Sequence, residues 1–318
     1  MLDYQKAPYL ELNEYKAPKG IQCIFFPMPD KKKIRLAFWK NVSKTSPSRG
    51  TILLQQGHNE FIEKYYETIQ ELIDRNFDIV CFDWRGQGMS DRMTRNINKQ
   101  YIKDFQIHIT DLELILKKFI KVNFPSPLIA FGHSMGGCLV LSSLPKLQNE
   151  FKAVILSAPM LGFKKEKVLN VILYLAALLL PSENYFPGSR PNMGLETPFE
   201  DNDLTSDFNR YTRTQKLVRM QPEIRLWGVT IAWVKAVNKH LKIIRKPEWA
   251  KKIKSKILII NSLKDRVVCS NKINEMHQKL PNSQIINFLK AEHEVLMETD
   301  DIRKKFWVNF DEFLNKLL

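Results

Sequence analysis

Residues Gly132-His133-Ser134-Met135-Gly136 set a serine between glycines two positions to either side, at the end of the apolar run Pro127–Phe131 and ahead of a stretch able to form a helix. A strand-to-helix turn this sharp forces its middle residue into strained dihedrals, and glycines at those two positions remove the clashes that side chains would create. The strain lifts the Ser134 hydroxyl out of the sheet. It also puts the amide of Met135 at a helix N-terminus, where free N–H groups and the helix dipole favour a negative oxygen. The chemistry open to such a residue is nucleophilic attack on an acyl carbonyl. The plainer alternative is a glycine-rich turn whose serine only caps a helix; a buried-type strand directly before the pattern argues against it.

A serine hydroxyl needs a base within hydrogen-bond reach and an acid to orient that base. In a strand–turn–helix setting of this kind the chain order is serine, acid, histidine. Of the six histidines, His58, His108 and His133 precede or adjoin Ser134, His240 falls in a helical, basic stretch, and His277 sits mid-helix. His293 remains, in the loop KAEHEV directly after the run QIINFL, at a strand's end where a base can face Ser134. For the acid, Asp265 follows the strand KILIINS in the loop LKDRVV, again at a strand's end. Asp201, Asp203 and Asp207 lie in a long stretch without strands, and Glu292 and Glu294 are too close to His293 in sequence to orient its ring. An ordinary turn or cap role is the alternative for Asp265. A second oxyanion donor is expected from the loop Gly57-His58-Asn59-Glu60, where the backbone N–H of His58 would pair with that of Met135. Losing one such donor costs about 2.7–4 kcal/mol of transition-state stabilisation; the imidazole of His58 is then incidental.

The elements that must position these groups are legible as periodicity. Uninterrupted apolar runs at Thr51–Leu54, Asp78–Phe82, Pro127–Phe131, Ala153–Leu156, Lys256–Ile260 and Gln284–Leu289 suit strands buried on both faces of a mostly parallel sheet. Residues 22–27 and 34–39 read as an antiparallel pair leading into it. Helical stripes separate the runs: Phe61/Ile62, Tyr65, Ile69, Leu72; then Phe105, Ile109, Leu112, Leu116, Phe119; and finally Ile302, Phe306, Phe310, Phe313, Leu317. Each keeps a three-to-four spacing and offers one apolar face to a sheet. The pattern predicts an α/β fold, a sheet flanked by helices. The alternation stops between about residues 161 and 250, so the expected organisation is a core of residues 1–160 and 251–318 with a largely helical cap insertion at 161–250, over the sheet edge where ligands bind.

Composition narrows the setting. The chain has 318 residues, is 44% hydrophobic and carries a net charge of +15. Its basic residues are dispersed, without a nucleic-acid-binding motif, so general surface charge is the first reading, attraction to an anionic membrane the second, and nucleic acid is not an expected partner. The four cysteines (Cys23, Cys81, Cys138 and Cys269) have neither CxxC spacing nor a disulfide pattern and read as small core residues in a reducing compartment. The N-terminal residues lack the apolar segment of an export signal. The expected location is the cytoplasm, including the inner face of the membrane. Neither a metal nor an organic cofactor is implied.

Taken together, the chain resembles the α/β-hydrolases, close to monoacylglycerol lipases and bacterial lysophospholipases. FDWRGQGMSDR at 82–92 is similar to the loop those enzymes carry after the fourth strand, GHSMGG at 132–137 to their elbow, and SAPM at 157–160 to the segment after the next strand. DNDLTSD and PEIRLWGVTIAWVKA, both in the insertion, resemble the lysophospholipase branch. The resemblance implies nucleophile, acid and base roles for Ser134, Asp265 and His293, and oxyanion amides at His58 and Met135. One position departs from it. Animal monoacylglycerol lipases have His-Gly at the oxyanion loop, where this chain has Gln56-Gly57. The implied substrate is therefore lipid-like, a lysophospholipid ahead of a monoacylglycerol. Acyl transfer to another alcohol and a non-catalytic binding scaffold are the alternatives.

Within the expected cap, Val168–Leu180 reads VLNVILYLAALLL and ends at Pro181. Thirteen helical residues rise about 20 Å, short of the roughly 30 Å hydrocarbon core of a bilayer. A helix apolar on every side is either packed on the core or facing lipid, and Lys164, Lys165 and Lys167 could sit at anionic headgroups.

Overall fold

A computed structural model of the chain describes residues 4–41, 47–189 and 197–318; residues 190–196 of the expected cap and 1–3 and 42–46 of the expected core lie outside these. The strands are β1 (Gln5–Lys6), β2 (Gln22–Pro27), β3 (Lys33–Trp39), β4 (Thr51–Gln55), β5 (Asp78–Phe82), β6 (Lys99–Gln100), β7 (Leu128–His133), β8 (Ala153–Ser157), β9 (Gly228–Val229), β10 (Ile257–Ser262) and β11 (Ser283–Phe288). All but β6 and β9 form one sheet in the order β1-β2-β3-β5-β4-β7-β8-β10-β11. From β5 to β11 neighbouring strands are parallel, while β1, β2 and β3 add an antiparallel edge.

The apolar runs become strands because the sheet is covered on both faces. Every residue of β4, β5, β7, β8 and β10 is buried. Successive side chains point to opposite faces, so Ile52 and Leu54 join one core cluster and Leu53 the other. Helices α1 (Tyr66–Asp74) and α10 (Asp300–Asn315) cover the first. The second is covered by α2 (Gln106–Ile115), α4 (Ser134–Leu147), α7 (Ile231–Ile244) and α9 (Ser270–Lys279), and α3 (Lys121–Asn123) continues the α2 segment. Gln284–Leu289 departs from the expected burial. β11 is the last strand, with a neighbour on one side only, and Phe288 is its one buried residue.

The stretch at 161–250 carries the two-residue strand β9, which pairs with β6 apart from the main sheet, and holds α5 (Glu166–Leu179), α6 (Phe208–Met220), α7 and α8 (Pro247–Ala250). Its parts pack differently. Trp233, Ala236, Val237, Leu241 and Ile244 of α7 enter the large core cluster beside α4, and Leu217 and Val218 of α6 enter the other. α5 is held through a small cluster of Leu173, Ala176, Phe186 and Ile231. The site lies where strand order reverses: β4 has β5 on one side and β7 on the other, and the loops leaving β4 and β7 flank the crevice that such a switch point opens.

Candidate active site

β7 ends at His133 and α4 begins at Ser134, with no residue between. Ser134 has φ of 49°, a left-handed conformation strained for a side-chain-bearing residue. The flanking glycines are required by contact. A Cβ on Gly132 would lie 2.7 Å from the Cα of Gly137, and one on Gly136 would lie 2.4 Å from the carbonyl oxygen of Gln56. The first N–H groups of α4, that of Met135 among them, have no partner inside the helix.

The loops after β10 and β11 bring two distant residues to this hydroxyl. His293 Nε2 is 2.9 Å from Ser134 Oγ, and His293 Nδ1 is 2.6 Å from Asp265 Oδ2. Asp265 Oδ1 accepts the N–H groups of Val267 at 2.7 Å and Val268 at 2.8 Å, which fixes the carboxylate. With the His293 proton held on Nδ1 by Asp265, Nε2 accepts the hydroxyl proton of Ser134. Burial acts to lower the pKa of His293, but the Asp265 carboxylate, joined by those of Glu294 and Glu60, outweighs it and the net shift is upward. Burial acts to raise Asp265, and the facing imidazole brings it below the usual carboxylate value. The other histidines near the site are neutral. Burial takes His133 down to about 3 and His58 to about 4. His133 Nδ1–H donates to the carbonyl of Ser157 at 3.1 Å, and its ring packs against that of His293 at 4.8 Å between centroids.

In the loop after β4, the Gly57 N–H donates to Glu60 and the Asn59 N–H to Gln87, while the intervening His58 N–H takes part in neither bond. A Cβ on Gly57 would fall 3.0 Å from Ser134 Cβ, so only glycine lets this backbone approach the serine so closely. The His58 ring lies 4.7 Å from that of Trp233.

Two segments that the sequence marked only by resemblance, without a role, brace the site. The loop at 82–92 braces the turn after β4: Trp84 Nε1 donates to the Gln56 carbonyl at 2.9 Å, and Asp83 accepts from Gln56 Nε2 at 3.2 Å and Ile62 N at 3.1 Å. Asp83 is itself paired with fully buried Arg35 at 2.7 Å, and Arg35 reaches Glu63 at 2.6 Å. The DNDLTSD segment fastens the His293 loop. Its Leu204 carbonyl accepts the Glu294 N–H at 2.8 Å, and Thr205 Oγ1 donates to the Met297 carbonyl at 2.6 Å. Among the described residues, Glu60, His133 and Glu294 form the one group of this kind with metal-ligand spacing. Lys64 Nζ already lies between its two carboxylates, 2.6 Å from Glu60 and 2.5 Å from Glu294, so the chain supplies the compensating cation itself. A cavity of about 200 Å³ opens against Ser134 and His293 and is also lined by Arg210, Tyr211, Thr214 and Gln215 of α6 together with Arg225.

The family described as Hydrolase_4, serine aminopeptidase S33, matches residues 46–300. A protein named probable lysophospholipase L2 from Haemophilus influenzae is 27% identical over 287 residues, 90% of this chain and 90% of that one. The monoglyceride lipase of Saccharomyces cerevisiae is 27% identical over 196 residues, 60% of this chain and 59% of its own length. The crystal structure of a soluble variant of monoglyceride lipase from the same yeast, in complex with a substrate analog, aligns with a TM-score of 0.75 at 19% identity. It covers 96% of this chain and 100% of that one, and places the sheet and its helices in the α/β-hydrolase fold.

Proposed function

The chain belongs to the Hydrolase_4 family and is a carboxylic ester hydrolase; within that class we propose that it cleaves the acyl ester of a lysophospholipid. Ser134 attacks the acyl carbonyl as His293 takes its proton, and Asp265 stabilises the imidazolium that forms. The N–H groups of His58 and Met135 hold the tetrahedral oxyanion. His293 then protonates the leaving glycerophospho-alcohol, and water repeats the sequence on the acyl-enzyme to release a fatty acid.

The observation that carries the substrate reading is the match to a probable lysophospholipase L2 over 90% of this chain and 90% of that one. The cavity at Ser134 is lined by polar side chains, but the Arg210 guanidinium among them is already held by Glu67, Asp207 and Asp300. Monoacylglycerol remains the second reading, favoured by the yeast relative. Hydrolysis of a panel of lysophosphatidylcholine, lysophosphatidylethanolamine and monoacylglycerol, with Ser134→Ala as control, tests both. Faster turnover of the lysophospholipids, lost in Ser134→Ala, is the expected result; preference for the uncharged lipid overturns the substrate reading.

The same reading includes a peripheral contact with membrane. On α5, Val168, Val171, Tyr174, Leu175, Leu178 and Leu179 are exposed, Leu179 to 79%. Lys164, Lys165 and Lys167 are exposed at its N-terminal end, and Lys235, Lys239 and Lys242 are exposed along the neighbouring α7, with Lys246 just past its end. No helix of the described residues is long and apolar enough to cross a membrane. An apolar strip rimmed by lysines suits an anionic leaflet, into which such a helix sinks without spanning.

A further inference from the structure

Beside Ser134, His293 and Asp265 stands a buried ionic group with no part in the proton transfers. Lys64 Nζ lies 2.6 Å from Glu60 Oε1 and 2.5 Å from Glu294 Oε1, and the three side chains are 5–7% exposed. Glu60 closes the turn that carries His58. Its second oxygen accepts the Gly57 N–H and, at 2.7 Å, the Tyr65 hydroxyl. Glu294 follows His293 in sequence and belongs to the base-bearing loop. Lys64 and Glu294 are 230 residues apart, so one ammonium joins two loops that the chain itself does not connect.

We propose that Lys64 is a positioning residue for the hydrolysis: its ammonium ties the loop carrying the His58 N–H to the loop carrying His293, and sets the net charge that His293 faces. The proposal rests on the reading of Ser134, His293 and Asp265 as a triad. Two carboxylates in a dry space repel each other unless a cation lies between them, and removing that cation leaves an uncompensated buried charge. With Lys64 in place, two carboxylates and one ammonium sum to a single negative charge beside the imidazole. Without it, that charge grows toward two as pH rises. With Glu294 neutral and Lys64 retained, it falls to zero. The other groups facing His293 are Asp265 from the loop after β10, His133 from β7, Ser134 from α4 and Arg225 across the cavity. None of them changes in either variant.

The two substitutions therefore act on His293 in opposite directions, which loss of packing alone does not do. The experiment measures kcat/KM against pH for a p-nitrophenyl acyl ester, because the acid limb of that profile reports the base in the free enzyme. In Lys64→Met the acid limb moves up by about 1 pH unit, and kcat falls on the order of tenfold or more with little change in KM. In Glu294→Gln the limb moves down. In Lys64→Arg, which keeps the charge, it returns to the wild-type position. If Lys64→Met does not fold by thermal melting, the downward shift in Glu294→Gln with Lys64→Arg at the wild-type position still supports the proposal. Unchanged limbs, or limbs moving the same way in Lys64→Met and Glu294→Gln, overturn it while Ser134→Ala is inactive. Turnover that survives in Ser134→Ala overturns the triad and the proposal together.

Discussion

Asp265 is held by two backbone amides on one oxygen and by His293 on the other, so its role can be separated from the position of its neighbours. Asparagine at this position keeps the shape but offers an amide that can present its N–H to the ring, which favours the wrong imidazole tautomer. Asp265→Asn should lower kcat by about 10⁴ with an unchanged melting profile, as steady-state kinetics and calorimetry would show. The sign of the pH dependence follows from His293. Hydrolysis needs the neutral ring, and the pKa of that ring stands above the ordinary 6.5. Activity should therefore be lost as pH falls through a value above 6.5, and a half-maximal point below it would contradict the Asp265 contact. These three residues were legible because each stands alone in its kind: one serine between spaced glycines, one histidine and one aspartate at the right strand ends. Lys64, Glu60 and Glu294 were not. A lysine four residues after a glutamate reads as an ordinary helix-surface pair, and nothing in one sequence shows that the turn after β4 and the loop after β11 meet.

At the scale of elements, the backbone contacts around the elbow make a sharper test than the side chains. A methyl at Gly136 would meet the carbonyl oxygens of Gln56 at 2.4 Å and Gln55 at 2.5 Å, and both are backbone atoms that cannot rotate away. Gly136→Ala must displace the loop that carries the His58 N–H. The expected cost is about 1–3 kcal/mol of stability, as for overpacking in a core, together with a loss in kcat larger than that in binding. Chemical denaturation beside kinetics would check it, and a variant matching wild type in both would show that the two segments are not in contact. The strands of the parallel sheet were readable in advance because both faces are covered, which leaves a run of apolar residues with no polar interruption. β11 breaks that rule for a topological reason: an edge strand has one neighbour, and its outer side chains remain half-exposed. The packing of α7 into the large core cluster was not legible either. Its apolar stripe looks the same whether the partner is a sheet helix or a cap, and only the fold decides between them.

The whole molecule carries +15, and the structure distributes part of that charge around one apolar strip. Val171, Tyr174, Leu175, Leu178 and Leu179 on α5 are each more than half exposed, and the lysines of α7 lie alongside. In the sequence, an all-apolar helix left two outcomes open, burial in the core or contact with lipid. The structure buries only Leu173 and Ala176, so about one face of the helix is used for packing and the rest is left outward. Burying a leucine side chain in the acyl boundary gains about 1.5–3 kcal/mol, and each lysine near an anionic surface adds about 1 kcal/mol. Two aspartates in place of two leucines reverse the first contribution and weaken the second. Flotation with vesicles containing phosphatidylglycerol should therefore recover wild type in the lipid fraction and leave Leu175→Asp/Leu179→Asp behind. The apolar contribution should persist at high salt while the lysine contribution fades, since screening acts on exposed charge. Hydrolysis of a short soluble ester should be the same in both proteins, because neither leucine lines the cavity at Ser134. Equal flotation of the two proteins would remove the membrane from the account and return this face to solvent or to a second copy of the chain, which concentration-dependent sedimentation would then reveal.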